Sequence, residues 1–393
     1  MASTLFHNAK QIVTNSSEDL YDLAVLENSS LLIKDEKVSW IGASSDAPSA
    51  DNIFDCTEKV LLPGFVDSHA HLVFAGDRSA EFAARMAGES YTAGGITFTV
   101  EKTRAATDEE LRRNVAGLVA EMHANGITHF EIKSGYGLTL QDEIRALKIA
   151  REFTDDVTLM AAHVVPKAYA HKRSEYVDLI INEMLPASVG LAKWVDVFCE
   201  TGAFTIEETR KILLAAKKLG FRLKIHANQL GQAETLKLGA ELGVTSADHC
   251  TYFENSDIEA LVNHNVVATM LPATEFSTNS PYPDAQKLIG AGAKVAIATN
   301  CNPGSSFTTS MPFCIAVAVR EMNFTTEQAI WSATKGGALA LDNESLGMLV
   351  VGGKADIAVL DAPSYVHLAY RPGVSLIDST YINGQRVYAK GGK

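Results

Sequence analysis

The sequence predicts an α/β protein: a (β/α)8 TIM-like barrel carrying a small β-sandwich domain built from both termini. Three observations carry that expectation. Short apolar runs alternate with amphipathic segments through the middle of the chain, eight times over about 280 residues. Both ends are rich in short strands and turns while the middle is not. Side chains capable of chemistry recur at the C-terminal ends of the runs, the rim on which such barrels build their sites.

The elements follow in order. Residues 1–62 read as short strands at Gln11–Val13, Leu23–Leu26, Ser30–Ile33 and Val38–Gly42, with Asp35-Glu36-Lys37 as a hairpin turn. Residues 63–345 hold the alternating part. Its runs end at Val66-Asp67 and then span Ile127–Lys133, Val157–His163, Val195–Glu200, Leu223–His226, Ala247–His249, Val266–Leu271 and Lys294–Asn300. Between them lie helical patterns at Asp108–Asn125, Leu140–Phe153, Ile206–Leu219 and Gln232–Leu242, the first opened by a Thr107/Glu110 capping box. Residues 346–393 return to strands: Asp356–Leu360, then Tyr381-Ile382 and Arg386–Tyr388 flanking Asn383-Gly384, a strong hairpin signal.

Composition excludes several function classes. A chain of 393 residues, 47% hydrophobic and 21% charged, has a large globular core. Its net charge of −13 and the lack of any basic cluster argue against nucleic acid or an anionic membrane as partner. The five cysteines are dispersed and form no C-x-x-C pair, as expected of a reducing compartment. With no signal-peptide pattern and no stretch near the ~20 apolar residues of a membrane helix, the expected location is the cytoplasm.

The most informative local feature is Pro63-Gly64-Phe65-Val66-Asp67-Ser68-His69-Ala70-His71. Side chains two apart on a strand share a face, so His69 and His71 converge on one point. His226, His249 and Asn300 end the fifth, sixth and eighth runs, and Lys133, His163 and Glu200 end others. Several neutral imidazoles at one rim with an open position suit a catalytic metal ion. His249 has two readings, a ring that hydrogen-bonds the attacked carbonyl or water, or an ordinary core histidine. Lys133 raises the question of a carboxylated lysine bridging two metals; in the binuclear relatives of the superfamily these residues resemble, that lysine belongs on the fourth strand, which here ends Val197-Phe198-Cys199-Glu200. A single ion is the expectation.

These residues resemble the amidohydrolase superfamily, through P-G-F-V-D-x-H-x-H and the order of polar strand ends. More narrowly, Phe74-Ala75-Gly76-Asp77-Arg78, Lys133-Ser134-Gly135-Tyr136-Gly137, Ala162-His163-Val164-Val165-Pro166 and Asn302-Pro303-Gly304-Ser305 resemble the imidazolonepropionase family. The resemblance implies hydrolysis of 4-imidazolone-5-propanoate to N-formimidoyl-L-glutamate in histidine degradation. It implies one divalent metal ion, Zn2+ or Fe2+/Fe3+, on His69, His71 and His226 with position 300 as fourth ligand, and a homodimer. Arg78, Tyr136, His163, Gln229, Asn302 and Gly304 match substrate-contacting positions. The chemistry agrees: Arg78 offers a bidentate partner for the propionate carboxylate, Tyr136 a hydroxyl, and Gly304 and Ser305 backbone N–H groups for an anion. A salt bridge to Glu81 is the structural alternative for Arg78, and packing on a neighbouring loop the alternative for Tyr136.

One position departs from the family pattern. Where the family places Asp at the end of the eighth strand, this chain has Asn300, whose amide oxygen can ligate but has no useful basicity. His249 or Gln229 would then share the catalytic work with Asn300. Two rival functions follow: a deaminase of a heterocycle on the same scaffold, or a binding protein that has lost turnover.

Overall fold

The computed structural model of the chain describes residues 3–88 and 95–392. A parallel sheet forms its centre. Phe65–Asp67 pairs with Ile127–Phe130, and Ile132–Lys133 continues that strand after a break at Glu131. From there the order is sequential: Val157–Ala162, Trp194–Cys199, Arg222–Ala227, Ser246–His249, Val267–Met270 and Val295–Ile297. The sheet curls until its ends meet. Ala70 and Cys301 form a parallel bridge, His71 N–H donates to the Cys301 carbonyl (2.9 Å), and Asn300 N–H donates to the His69 carbonyl (2.9 Å). Every expected run therefore supplies a strand, and all their C-terminal ends face one mouth.

The helices pack outside. Asp108–Ala124 is opened by the expected box, with Thr107 N–H donating to Glu110 Oε2 (2.7 Å) and Glu110 N–H to Thr107 Oγ1 (3.2 Å). Leu111, Val115, Leu118 and Met122 recur at helical spacing and are buried. Thr107→Ala leaves the Glu110 N–H unsatisfied, and we expect a loss of about 1 kcal/mol. The urea midpoint should fall with an unchanged slope; an unmoved midpoint would show that the cap contributes nothing.

The termini form one eight-stranded mixed sheet, in which Val60–Pro63 joins Thr4–Val13 to Ile357–Leu360. The two expected strands at Leu23–Leu26 and Ser30–Ile33 are one ten-residue strand, Val25–Lys34, which passes through Asn28 at φ 47°. Asn52–Asp55 adds a parallel strand beside Thr4–His7 that the sequence did not announce, because its side chains alternate too little in polarity. Both expected hairpins are present: Asp35 and Glu36 have φ of 51° and 67°, Asn383 and Gly384 48° and 73°. Two positive φ values in a two-residue loop match the right-handed twist of the strands.

Candidate metal centre and substrate pocket

The backbone ties between the first and eighth strands set His69 and His71 beside Asn300 at the mouth. His226 ends the fifth strand and is the hub. Its ring centroid lies 4.5 Å from that of His69, 5.2 Å from His249 and 5.5 Å from His71. Ligand-capable atoms of His69, His226 and His249 lie within 4.8 Å of one another, and His71 Nε2 is 3.2 Å from His69 Nε2. The residues after these strands take unusual backbone: φ is 80° at His249, 51° at Cys250, 53° at Asn228 and 51° at Asn300. Left-handed backbone at non-glycine positions costs energy, and here it accompanies the turn of the chain at the mouth.

Two carboxylates orient the rings. His69 Nδ1–H donates to Asp248 Oδ2 (2.6 Å), and His226 Nδ1–H lies 3.0 Å from both oxygens of Asp196. Each bond fixes the tautomer with the lone pair on Nε2, as ligating histidines require. Burial, then neighbouring positive groups, holds His69, His71 and His249 well below the usual imidazole range. Neutral, oriented, buried imidazoles fit a transition-metal ion, and the buried Nδ1 atoms of His71 and His249 have no hydrogen-bond partner.

Beneath the histidines lies a fully buried ionic layer. Lys133 Nζ sits 2.7 Å from Asp196 Oδ2, 3.0 Å from Glu131 Oε2 and 3.5 Å from Asp248 Oδ2. Lys224 Nζ is 3.2 Å from Glu131 Oε2 and donates to the Ser68 carbonyl (2.9 Å). Burial alone would lower the Lys133 pKa, but Asp196, Glu131 and Asp248 outweigh it and raise it. Asp196, conversely, is held far below the ordinary carboxylate range because His226 and Lys133 outweigh its desolvation. An ammonium so committed is not the free amine a carbamate needs. Asp196 and Asp248, which with His226 form a second group of potential metal donors, both lie within 3.5 Å of Lys133 Nζ, so their charge is already compensated.

Around the mouth, His71, Arg78, Tyr136, His163, Gln229 and Asn302 line one polar pocket, with His226, His249, Asn300 and Ser305 completing its wall. His163 stacks on His71 (5.5 Å between centroids, 20° between planes) and its Nδ1–H donates to the Gly135 carbonyl (3.0 Å). Burial pushes the His163 imidazole down to about 3. Tyr136 is held over His163, 5.3 Å between centroids, by a loop wrapped around Glu143. That carboxylate accepts from the N–H groups of Gly135 (3.1 Å), Gly137 (2.9 Å) and Leu138 (2.7 Å).

One expectation needs correction. The N–H groups of Gly304 and Ser305 do not face an anion; both donate to Asn302 Oδ1, at 2.8 and 2.9 Å. An Asn side chain three or fewer residues upstream reaches those donors first. Gly304 matters for another reason, since a Cβ there would lie 2.2 Å from Arg78 Nη1. Arg78 lines the pocket and also makes the Glu81 salt bridge, so the functional and structural readings hold together. Asn300 is nearly buried; its Nδ2 donates to Thr274 Oγ1 (2.8 Å), and Asn302 Nδ2 donates to Asn300 Oδ1 (3.1 Å). Sequence reasoning named Glu81 as a partner of Arg78 but gave no role to Glu131, Glu143, Asp196, Lys224 or Asp248. Charges inside the strand runs, as in Val195-Asp196-Val197, were the signal available for Glu131, Asp196, Lys224 and Asp248; nothing local marked Glu143.

Known proteins place these features in context. A family model described as "Amidohydrolase family" matches residues 60–387. Imidazolonepropionase of Mycolicibacterium smegmatis is 52% identical over 389 residues, covering 99% of this chain and 98% of its own. That of Streptomyces griseus is 51% identical over 389 residues, covering 98% and 100%. Among solved structures, guanine deaminase from C. acetobutylicum superposes with TM-score 0.73 at 14% identity, covering 98% of this chain and all of that one. A mutant of atrazine chlorohydrolase from Arthrobacter aurescens TC1, complexed with zinc and atraton, gives 0.74 at 16%, covering 98% and 94%. At such identities the last two are similar in fold only.

Proposed function

The chain belongs to the amidohydrolase family and, within it, to the imidazolonepropionases, and from that membership we infer that it hydrolyses 4-imidazolone-5-propanoate to N-formimidoyl-L-glutamate. The observation that carries this is the identity of about half the residues, over nearly the full length, to curated imidazolonepropionases. The deaminase reading is not favoured, because its support is likeness of fold alone. The curled sheet is read as the (β/α)8 barrel of residues 63–345, with 1–62 and 346–393 as the accessory β-sandwich-like unit. No helix among the described residues is long and apolar enough to cross a membrane. The working form is read as a cytoplasmic homodimer.

His69, His71 and His226 would hold the ion, with Asn300 Oδ1 as the fourth donor; imidazole suits zinc and iron alike. A divalent ion there lowers the pKa of a water and polarises the ring carbonyl. The remaining work belongs to the chain. Arg78 grips the propionate, while Tyr136, His163 and Gln229 orient the imidazolone ring and Asn302 shapes the loop beside it. In the reaction the water oxygen joins the carbonyl carbon, the ring C–N bond breaks, and the departing nitrogen gains a proton. His249, neutral and facing the mouth, is the group placed to accept the water proton, because the Asn300 amide cannot.

The direct test is incubation of the purified protein with 4-imidazolone-5-propanoate and identification of the product by mass. Formation of N-formimidoyl-L-glutamate supports the reading; ammonia release or unreacted substrate overturns it. Restoring a carboxylate at position 300 isolates the departure from the family pattern. We expect Asn300→Asp to raise kcat on the order of 10²-fold, the low end of a general-base contribution. An unchanged kcat would show that His249 already suffices.

A further inference from the structure

Arg78 is not a solitary guanidinium at the mouth but one end of a brace. Its Nε donates to Glu81 Oε2 (2.9 Å) and its Nη2 to Glu81 Oε1 (2.7 Å), a side-on bidentate clamp. Glu81 is held in turn by Arg85, whose Nη1 donates to Oε1 (3.1 Å). Arg85 Nη2 donates to the Gly304 carbonyl (2.8 Å), so the brace ends on the loop after the eighth strand. It spans the mouth from the segment after His71 to the segment after Asn300.

An exposed i,i+3 ion pair contributes little. This pair is different, because the Arg78 and Arg85 side chains are only 3% and 4% exposed while Glu81 is 32% exposed. Two buried guanidinium groups share one carboxylate, and its loss would leave both to rearrange. A guanidinium carries two bidentate edges. The clamp takes the Nε/Nη2 edge and sets the Nη1 end against Gly304, where absence of a Cβ permits the approach. Arg78 lines the pocket together with Tyr136 and Asn302.

We propose that Glu81, braced by Arg85, is a positioning residue for substrate recognition: it fixes the orientation in which Arg78 meets the substrate carboxylate. The proposal rests on the reading of Arg78 as the propionate-binding residue. It assigns Glu81 an effect on carboxylate recognition and none on ring opening.

The test compares steady-state kinetics on 4-imidazolone-5-propanoate and on its uncharged propanamide counterpart, using the metal-loaded enzyme. For Glu81→Gln we expect KM for the propanoate to rise about tenfold or more, with kcat within threefold and metal content unchanged. KM for the propanamide should not move. Arg85→Met should give a smaller rise of the same selectivity and guards against a misfolded Glu81 variant. An unchanged or lowered propanoate KM in Glu81→Gln, or equal changes for both substrates, overturns the brace. Arg78→Met separates the two levels. If it changes neither KM selectively, the carboxylate reading itself falls; if it acts on the propanoate alone while Glu81→Gln does not, only the brace falls.

Discussion

Replacing His226 with Ala should strip the protein of its metal and lower kcat/KM on the order of 10³-fold or more, since three neighbours lose their shared partner at once. The His226 ring lies within 5.5 Å of those of His69, His249 and His71, and its tautomer is set by both oxygens of Asp196. His163 is not free to replace it, because its Nδ1–H is engaged with the Gly135 carbonyl. Elemental analysis of the purified variant beside the parent gives the ratio of metal to chain. A variant that keeps one ion per chain would remove His226 from the ligand set and leave His69, His71 and His249 as the donors.

The largest stability effect is expected from the layer beneath. Lys133→Met removes the cation shared by Glu131, Asp196 and Asp248 and leaves buried carboxylates uncompensated, a loss of about 3–5 kcal/mol. The pH dependence has a definite sign. In the parent, Asp196 and Asp248 are both held below the ordinary carboxylate value despite burial. Their contribution is present above the unfolded pKa of about 4 and is lost as pH falls through the lower folded values. Without Lys133 these carboxyls lose one of the charges that hold them down and move upward, so the variant's deficit should be greatest at pH 8 and smaller at pH 5. Urea denaturation of metal-stripped parent and variant at both values measures it. Equal stability at pH 8 would mean that the methionine packs well enough to replace the ion pairs.

The strand ends were legible because a buried parallel strand needs an unbroken apolar run, and histidines that interrupt such runs at one end stand out. His69, His71, His226 and His249 converge as that pattern implied. Turn chemistry was equally local: Asn383-Gly384 and the Thr107 box depend on residues within three positions of each other. Strand lengths were less legible. The eighth run was expected to reach Asn300, yet the strand ends at Ile297, because Asp67 accepts from Thr299 N–H (3.0 Å) and pulls the chain out of the ladder. Burial pushes the Asp67 carboxyl up to about 6 even with those bonds.

By itself the sequence determined the alternation of strand and helix, the rim on which the imidazoles stand, and the kinds of donor available there. Tertiary structure alone decided what each charged group is paired with. Lys133 meets Asp196 across 63 positions of sequence and Asp248 across 115, and Arg85 reaches Gly304 across 219. Periodicity is a property of neighbours along the chain and is written locally. The partner of a buried charge is set by which strands the closed sheet brings side by side, and no local pattern records that.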